Sequence, residues 1–589
     1  MSPRYLLIAG DIGAAAARLI AGRAERAGLL RNFANSRMAA FSDSSCRCRP
    51  VGEAGCILGR LFHRHGPARE MAALAAEEER AIAKSRGQLL IERFWGAYVA
   101  ALADDRGVKV LRDPSGDFPC YFVRHENFTA FAADAELLVS SGAARADVDC
   151  EEIGRQLWRA FVPVRSTALC GIEELLAGFA LFEPARTDDQ LSCWSPWDHV
   201  RAPDEDRSTT VDRLSRTIRH SVSAIGSSHG RLLLSVSGGL DSSIVAACLA
   251  RAGTDTLCLT MFTDDPAGDE RPFARALCAR LGLELIERPY ELDAIDLDEA
   301  MAPNLPRPKD RIQALAFERV HYVVAGEVGA TAFVTGNGGD HVFGYSQSAA
   351  PIADRYLADG VGRPLVASLV DVCRQTGCSI GDALRQAWAI AHSPPGYRVR
   401  PNPLFLDPGF AASLGPEAWH HPWLDGPPGA LPGKAAHVAT ILRVQPNLEP
   451  GLGSRYPVIN PLISQPVVEA CLAVPTWEWR AGGRDRALVR AAFRNDLPGP
   501  VLDRRVKGTP GRFAARLLDH FRAGIRERLL GGKLANSGIA DGQELERVLA
   551  GDRPVLDLER VRILELVNAE AWIGHWTARG STMAGPQIG

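Results

Sequence analysis

The sequence predicts an α/β protein built around a parallel sheet, preceded by a region of mixed, β-rich character. From residue 231 onward, compact apolar runs alternate with stretches of helical periodicity, the rhythm of strand–helix–strand units. Roughly the first 200 residues lack that rhythm and read as short strands and helices between turns. Composition agrees with a folded chain: of 589 residues, 46% are hydrophobic and 23% charged, which excludes a disordered polymer. A length of this order suits two to four domains.

Charge narrows the function classes. There are 67 Lys and Arg against 70 Asp and Glu, a net charge of −3. A general nucleic-acid binder would show a basic excess, so no nucleic-acid partner is expected. No apolar run approaches the roughly 20 residues needed to span a bilayer, and Asp11 interrupts the short apolar run near the start. The expectation is a soluble, cytoplasmic protein with no membrane partner. Thirteen cysteines, with no CxxC pair, argue against a disulfide framework and against a structural zinc site.

The elements follow in order. Residues 5–9, 89–102, 108–111 and 121–123 read as strands or short helices, and RDPSG at 112–116 as a turn. The polar stretch 183–212, with Pro184, Pro196 and Pro203, reads as a linker. It places a boundary between domains at 1–205 and 206–589. Strands are expected at 231–236, 256–262, 283–288 and 331–335. Helices are expected at 241–252, 270–283 and 310–326. Residues 394–434 are dense in Pro and Gly and read as a long loop, a candidate lid or wall.

Two turns carry chemistry. LLLSVSGGLDSS at 232–243 runs strand, turn, helix. Gly238 and Gly239 let backbone N–H groups approach an anion. Ser237, Ser242 and Ser243 add hydroxyls, and the helix start adds partial positive charge. It is a phosphate cradle, yet not a GxxxxGK[ST] loop; SGGxDS is the signature of enzymes that cut ATP into AMP and pyrophosphate. TGNGGDHVFGY at 335–345 follows the fourth expected strand. Its Asp340 should share a sheet edge with Asp241, and two carboxylates there can hold Mg²⁺ against a triphosphate. A third segment, RRVKGTP at 504–510 preceded by RDRALVRAAF at 484–493, reads on its own as a solvated basic strip.

These motifs, with YPVINPLISQPVVEACLAVPTWEWRAGG at 456–483, resemble the asparagine-synthetase-like family in order and spacing. FWGAYV at 94–99, LRDPSG at 111–116 and STALCGI at 166–172 resemble its amidotransferase half. The resemblance implies a degenerate class II glutamine amidotransferase-like domain (Ntn-type αββα) over 1–205. Over 206–589 it implies an ATP-pyrophosphatase domain of the adenine nucleotide α-hydrolase type, a parallel sheet with helical additions. It further implies ATP and Mg²⁺ as cofactors and Lys507 as catalytic residue. Ser235, Ser237, Gly238, Gly239, Asp241, Ser242, Met261 and Gly336 would bind the nucleotide, and Asp241 and Asp340 the metal.

Departures from the family pattern select a subfamily. Ser2 stands where the amidotransferase half needs its nucleophilic Cys, and alignment of Ile8-Ala9-Gly10 with the family's opening CGIAG puts Leu6 at that position. The glutaminase should be dead. Asn337 stands where asparagine synthetases carry Glu and β-lactam synthetases Tyr, and Asn cannot act as a general base. The chain most resembles lasso peptide macrolactam synthetases. These adenylate an Asp or Glu side chain of a precursor peptide and close a ring onto its N-terminal amine. The resemblance implies a precursor peptide, a leader peptidase and a leader-recognition protein as partners. The alternative is an ammonia-dependent asparagine synthetase or another small-molecule amide- or lactam-forming synthetase.

Overall fold

The computed structural model describes residues 3–159, 162–184, 190–202, 205–263, 265–415, 420–449, 451, 456–505, 511–551 and 553–583. The chain opens with two six-stranded antiparallel sheets packed face to face. The strand Tyr5–Gly10 is central in the first sheet, pairing with Met38–Ser42 on one side and Phe128–Ala132 on the other. Its side chains alternate with period two. Tyr5, Leu7 and Ala9 enter the core between the sheets. Leu6 and Ile8 point to the opposite face, against Ala17 and Ile20 of the helix Ala15–Arg26. The second sheet is covered on its outer face by the helices Ala76–Lys84 and Gln88–Arg93. The layers therefore run helix, sheet, sheet, helix, as the resemblance implied.

The second sheet system has five parallel strands in the order Leu285–Pro289, Thr256–Phe262, Leu232–Ser235, Ala332–Val334, Val458–Ile459. The chain winds outward from Leu232–Ser235 in both directions, so a crevice opens at the strand ends beside it. The fifth strand is two residues long, too short to leave a periodic signal. The helix expected at 310–326 spans Ala314–Val328. Its start is delayed because Asp310 takes a left-handed φ of 59°, which no helix accommodates.

Two expected loops are built differently. In the expected linker, Trp194 is 5% exposed. It stacks edge-on against Trp423 at 5.2 Å and donates from Nε1 to Glu469 at 3.0 Å. The aromatic pair outweighs the polar composition that suggested a tether. The stretch 394–434 contains the helix Pro408–Ser413, a 3₁₀ turn at Pro422–Leu424 and the start of the helix Pro432–Val444. Proline at the first helical turn is favourable there rather than disruptive. Trp423 and His421 are fully buried, so this part of the segment is packed into the fold. Among the described residues, no helix is long and apolar enough to cross a membrane.

One apolar cluster runs without interruption from the sandwich into the parallel sheet. Beside it lies a buried charge cluster that joins the two. Glu174 accepts from Arg112 at 2.7 Å and from Arg307. Arg112 also donates to the carbonyls of Phe118, Leu175 and Gly116, each at 2.8 Å. Burial alone would push the Glu174 carboxyl up, but the two guanidinium groups outweigh it and hold it below the usual range. Its contribution is therefore present above the ordinary carboxylate pKa and lost as pH falls through the depressed one. Replacing Glu174 with Gln leaves two buried cations undercompensated. We expect a loss of about 3 kcal/mol, read as a lower denaturation midpoint in urea at neutral pH.

Candidate active site

The site forms where the parallel strands end. Ser235 closes its strand, and residues 236–239 lead into the helix Leu240–Ala252. Ten consecutive residues of that helix, 240–249, are buried, so it is held on all sides. Gly239 caps it without a side-chain hydrogen bond. The first-turn N–H groups are thus left to face the crevice, the arrangement that receives an anion. Gly238 has φ of +61°, and a Cβ there would lie 2.2 Å from Phe273 Cβ. No other residue fits that turn.

The second turn packs directly on the first. A Cβ on Gly336 would sit 2.4 Å from the amide nitrogen of Ser242, and one on Gly339 2.6 Å from Asp241 Cβ. These contacts explain why the TGNGGD segment is glycine-rich: it lies flush against the start of the Leu240–Ala252 helix. A cavity of about 340 Å³ results. Ser235, Ser237, Gly239, Asp241, Ser242, Met261, Gly336 and Asp340 all line it. Gly238 lies in the same turn. Every nucleotide- or metal-binding residue named from the sequence is therefore brought to one place. Lys507 lies outside the described residues.

Three features were not read from the sequence. Arg486 places one guanidinium nitrogen between the two carboxylates, 3.0 and 3.1 Å from the oxygens of Asp241 and hydrogen-bonded to Asp340 Oδ1. Its Nε donates to Asp485 at 2.7 Å, and its plane lies over Tyr345. Burial would lower the guanidinium pKa, but Asp241, Asp340 and Asp485 raise it above its ordinary value. Arg504 donates to the carbonyl of Ser237 at 2.8 Å and to Glu270 at 2.7 Å, and lies over Phe273. The segment expected to be a solvated basic strip is therefore partly folded into the crevice, because the carboxylates and backbone carbonyls there attract it. The only sequence signal was arginine density at 484–505.

The third feature is His321, bonded through Nε2 to Ser235 Oγ and through Nδ1 to the carbonyl of Phe317 at 2.8 Å. Burial lowers its pKa, so it is neutral at pH 7. Nδ1 then carries the proton and Nε2 accepts from the serine. Asn337 is occupied structurally. Its Oδ1 accepts from Gly338 N at 3.0 Å, and its Nδ2 donates to the carbonyl of Asn447 at 3.3 Å. It has no proton-accepting role in this arrangement.

The pair Asp241 and Asp340 fits a Mg²⁺ ion that completes its shell with phosphate oxygens and water. One guanidinium nitrogen reaches both carboxylates, so one small cation can do so too. Among the described residues no group of three or more acidic, His or Cys side chains that could hold a metal ion is present. Because Arg486 already neutralises the pair, Arg486→Gln should deepen the dependence on divalent ions. We expect Mg²⁺ to raise the melting temperature of that variant by several degrees more than that of the parent, measured by differential scanning fluorimetry. Gly336→Ala should cost about 1–3 kcal/mol from overpacking against the helix start. It should also weaken ATP binding at least about tenfold, measured by titration calorimetry.

Comparison with known proteins agrees with this geometry. Residues 213–389 and 453–574 match the family model described as asparagine synthase. A relative is the microcin J25-processing protein McjC of Escherichia coli, 29% identical over 135 residues. That match spans 22% of this chain and 26% of the relative, about a quarter of its length. With the family model covering more than half of the chain, and the parallel sheet, the SGGLDS turn and the GNGGD turn meeting at one crevice, the chain belongs to the asparagine synthase family.

Proposed function

We propose that this protein is an ATP-dependent amide ligase that closes a macrolactam in a peptide, of the kind found in lasso peptide biosynthesis. It would adenylate an Asp or Glu side chain of a precursor core peptide, release pyrophosphate, and pass the acyl group to the peptide's N-terminal amine with loss of AMP. The observation that carries this reading is the single crevice where Asp241, Asp340, the glycine turn at 237–239 and Ser235 converge at the ends of parallel strands. The peptide assignment is supported by Asn337, bonded to backbone where a base would otherwise stand. It is also supported by Leu6, fully buried in the central strand of the sandwich, and by the microcin-processing relative.

In this reading the adenine lies toward Met261 and Leu259, beside Ser235. The phosphates lie over the Leu240–Ala252 helix start, where backbone N–H groups meet charge that grows on the leaving pyrophosphate. A divalent ion held by Asp241 and Asp340 would neutralise phosphate charge. Arg504 holds the turn in shape through the Ser237 carbonyl. Arg486 keeps the two carboxylates together. Lys507, carried over from the family pattern, would meet the reacting acyl phosphate. The amine and the acyl group belong to one chain, so holding them together supplies much of the rate. Partners would be the precursor peptide, a leader peptidase and a leader-recognition protein, in the cytoplasm.

Reconstitution tests the reading. Enzyme, ATP and Mg²⁺ are combined with a candidate precursor peptide and its leader peptidase, and the products are weighed by mass spectrometry. We expect the core peptide to lose one water with formation of AMP, and both to vanish in Asp241→Ala and Lys507→Ala. Asparagine formed from aspartate and ammonia, with no dehydrated peptide, would sink the peptide assignment and leave the adenylating chemistry standing.

A further inference from the structure

A second cavity, of about 110 Å³, lies between the sandwich and the synthetase region. One wall is apolar, with Ile153, Leu157 and Val162. The others carry charge. Glu449 is 5% exposed. Its Oε1 accepts from the hydroxyl of Tyr121 and lies 3.5 Å from Arg307. Its Oε2 is buried with no hydrogen-bond partner. A buried, unmatched carboxylate oxygen costs free energy and points to a donor supplied from elsewhere. Lys309 lines the same cavity, and its ammonium makes no hydrogen bond or ion pair among the described residues. Burial lowers its pKa, opposed by Glu449 and Asp310.

The other charges of the lining have ionic partners within the protein. Arg159 pairs with Glu152 at 2.5 Å, Arg562 with Glu565 at 3.3 Å, and Arg307 with Glu174. Asp310 faces Arg311 at 3.6 Å. The acceptor of the lining left without a partner is Glu449 Oε2, and the donors that can serve a ligand beside it are Lys309 Nζ, Arg307 Nε, Arg562 Nε and Gln156 Nε2, in a cavity with one apolar wall. The chemical unit that serves both kinds of group is an ammonium followed by a carbonyl, with a small side chain between them. That unit is the first residue of a peptide. The cavity is also a neighbour of the nucleotide crevice: Asn447 lines it, and the Asn447 carbonyl accepts from Asn337 Nδ2, which lines the crevice.

We infer that this cavity binds the amine-bearing first residue of the peptide substrate, its ammonium on Glu449 and its first carbonyl on Lys309. The inference rests on the peptide-cyclising reading and adds to it the site of the attacking end. Tyr121 belongs to the sandwich, so a domain without glutaminase chemistry still shapes the substrate site, as the residue that orients Glu449. Glu449 is placed here as a binding residue.

The test uses the full-length enzyme and two simple probes, glycylglycinamide and its N-acetyl form. Their affinities are measured by saturation-transfer NMR titration. The parent should prefer the free amine by at least about tenfold. Glu449→Gln should remove that preference. Lys309→Met should weaken both probes and leave the preference in place. Equal affinity for the two probes in the parent, or a preference that survives Glu449→Gln, overturns the inference. Should Glu449→Gln fail to fold, Leu157→Trp fills the cavity from a half-buried position and should abolish binding of both probes; undiminished binding again overturns it. The probes need no adenylation, so a preserved preference in an enzyme that does not cyclise peptide would count against the proposed function alone.

Discussion

Glu174 between Arg112 and Arg307 sets a condition that the rest of the molecule meets. Taking three charges out of water is costly, and the arrangement survives only with close geometry and additional hydrogen bonds. Arg112 meets that condition by donating to three carbonyls as well as to the carboxylate. The continuous apolar core beside the cluster keeps water from relaxing it. Arg307, fixed in this way, lies against Tyr121 and Glu449. The position of the second cavity is therefore set by an interaction in the sandwich.

At the nucleotide crevice the governing contact is steric before it is electrostatic. Glycines at 336 and 339 bring one loop onto the helix start formed by another. That approach places two carboxylates close enough to repel, and Arg486 compensates from a third segment some 150 residues away in the chain. Arg486 itself sits at a left-handed φ of 53° at the start of the helix Ala487–Ala492. A strained backbone holding a guanidinium between acidic groups fits a functional site, where such costs are tolerated.

Most of the site was legible in sequence because glycine and serine at a strand–helix junction have few other physical explanations. Asp241 and Asp340 could be placed by motif and order, and Ser235 and Gly336 by the family resemblance. The parallel sheet was legible through its four longer strands, and the fifth, Val458–Ile459, was too short to register. Arg486 and Arg504 were misread because local composition cannot tell a solvated arginine from one drawn inward by carboxylates far along the chain. The same limit applies to Trp194, whose partner Trp423 lies in a proline-rich stretch that reads as loop. Glu449 carried no motif; only the fold brings Tyr121 and Arg307 to it.

The hydrogen-bonded series Asp117–Asn460–Thr335 runs from the sandwich to the turn at 335–340. Asn460 bonds Asp117 at 2.8 Å and Thr335 at 2.8 Å, and Thr335 receives the amide of Asn337 at 3.0 Å. Burial pushes the Asp117 carboxyl up to about 7, with Arg60 and Asn460 opposing. The two halves of this chain are thus joined by specific bonds and not merely laid side by side. Exchanging its sandwich for another would break the contacts of Asp117, Tyr121 and Glu174 together, so the seam behaves as one structural unit.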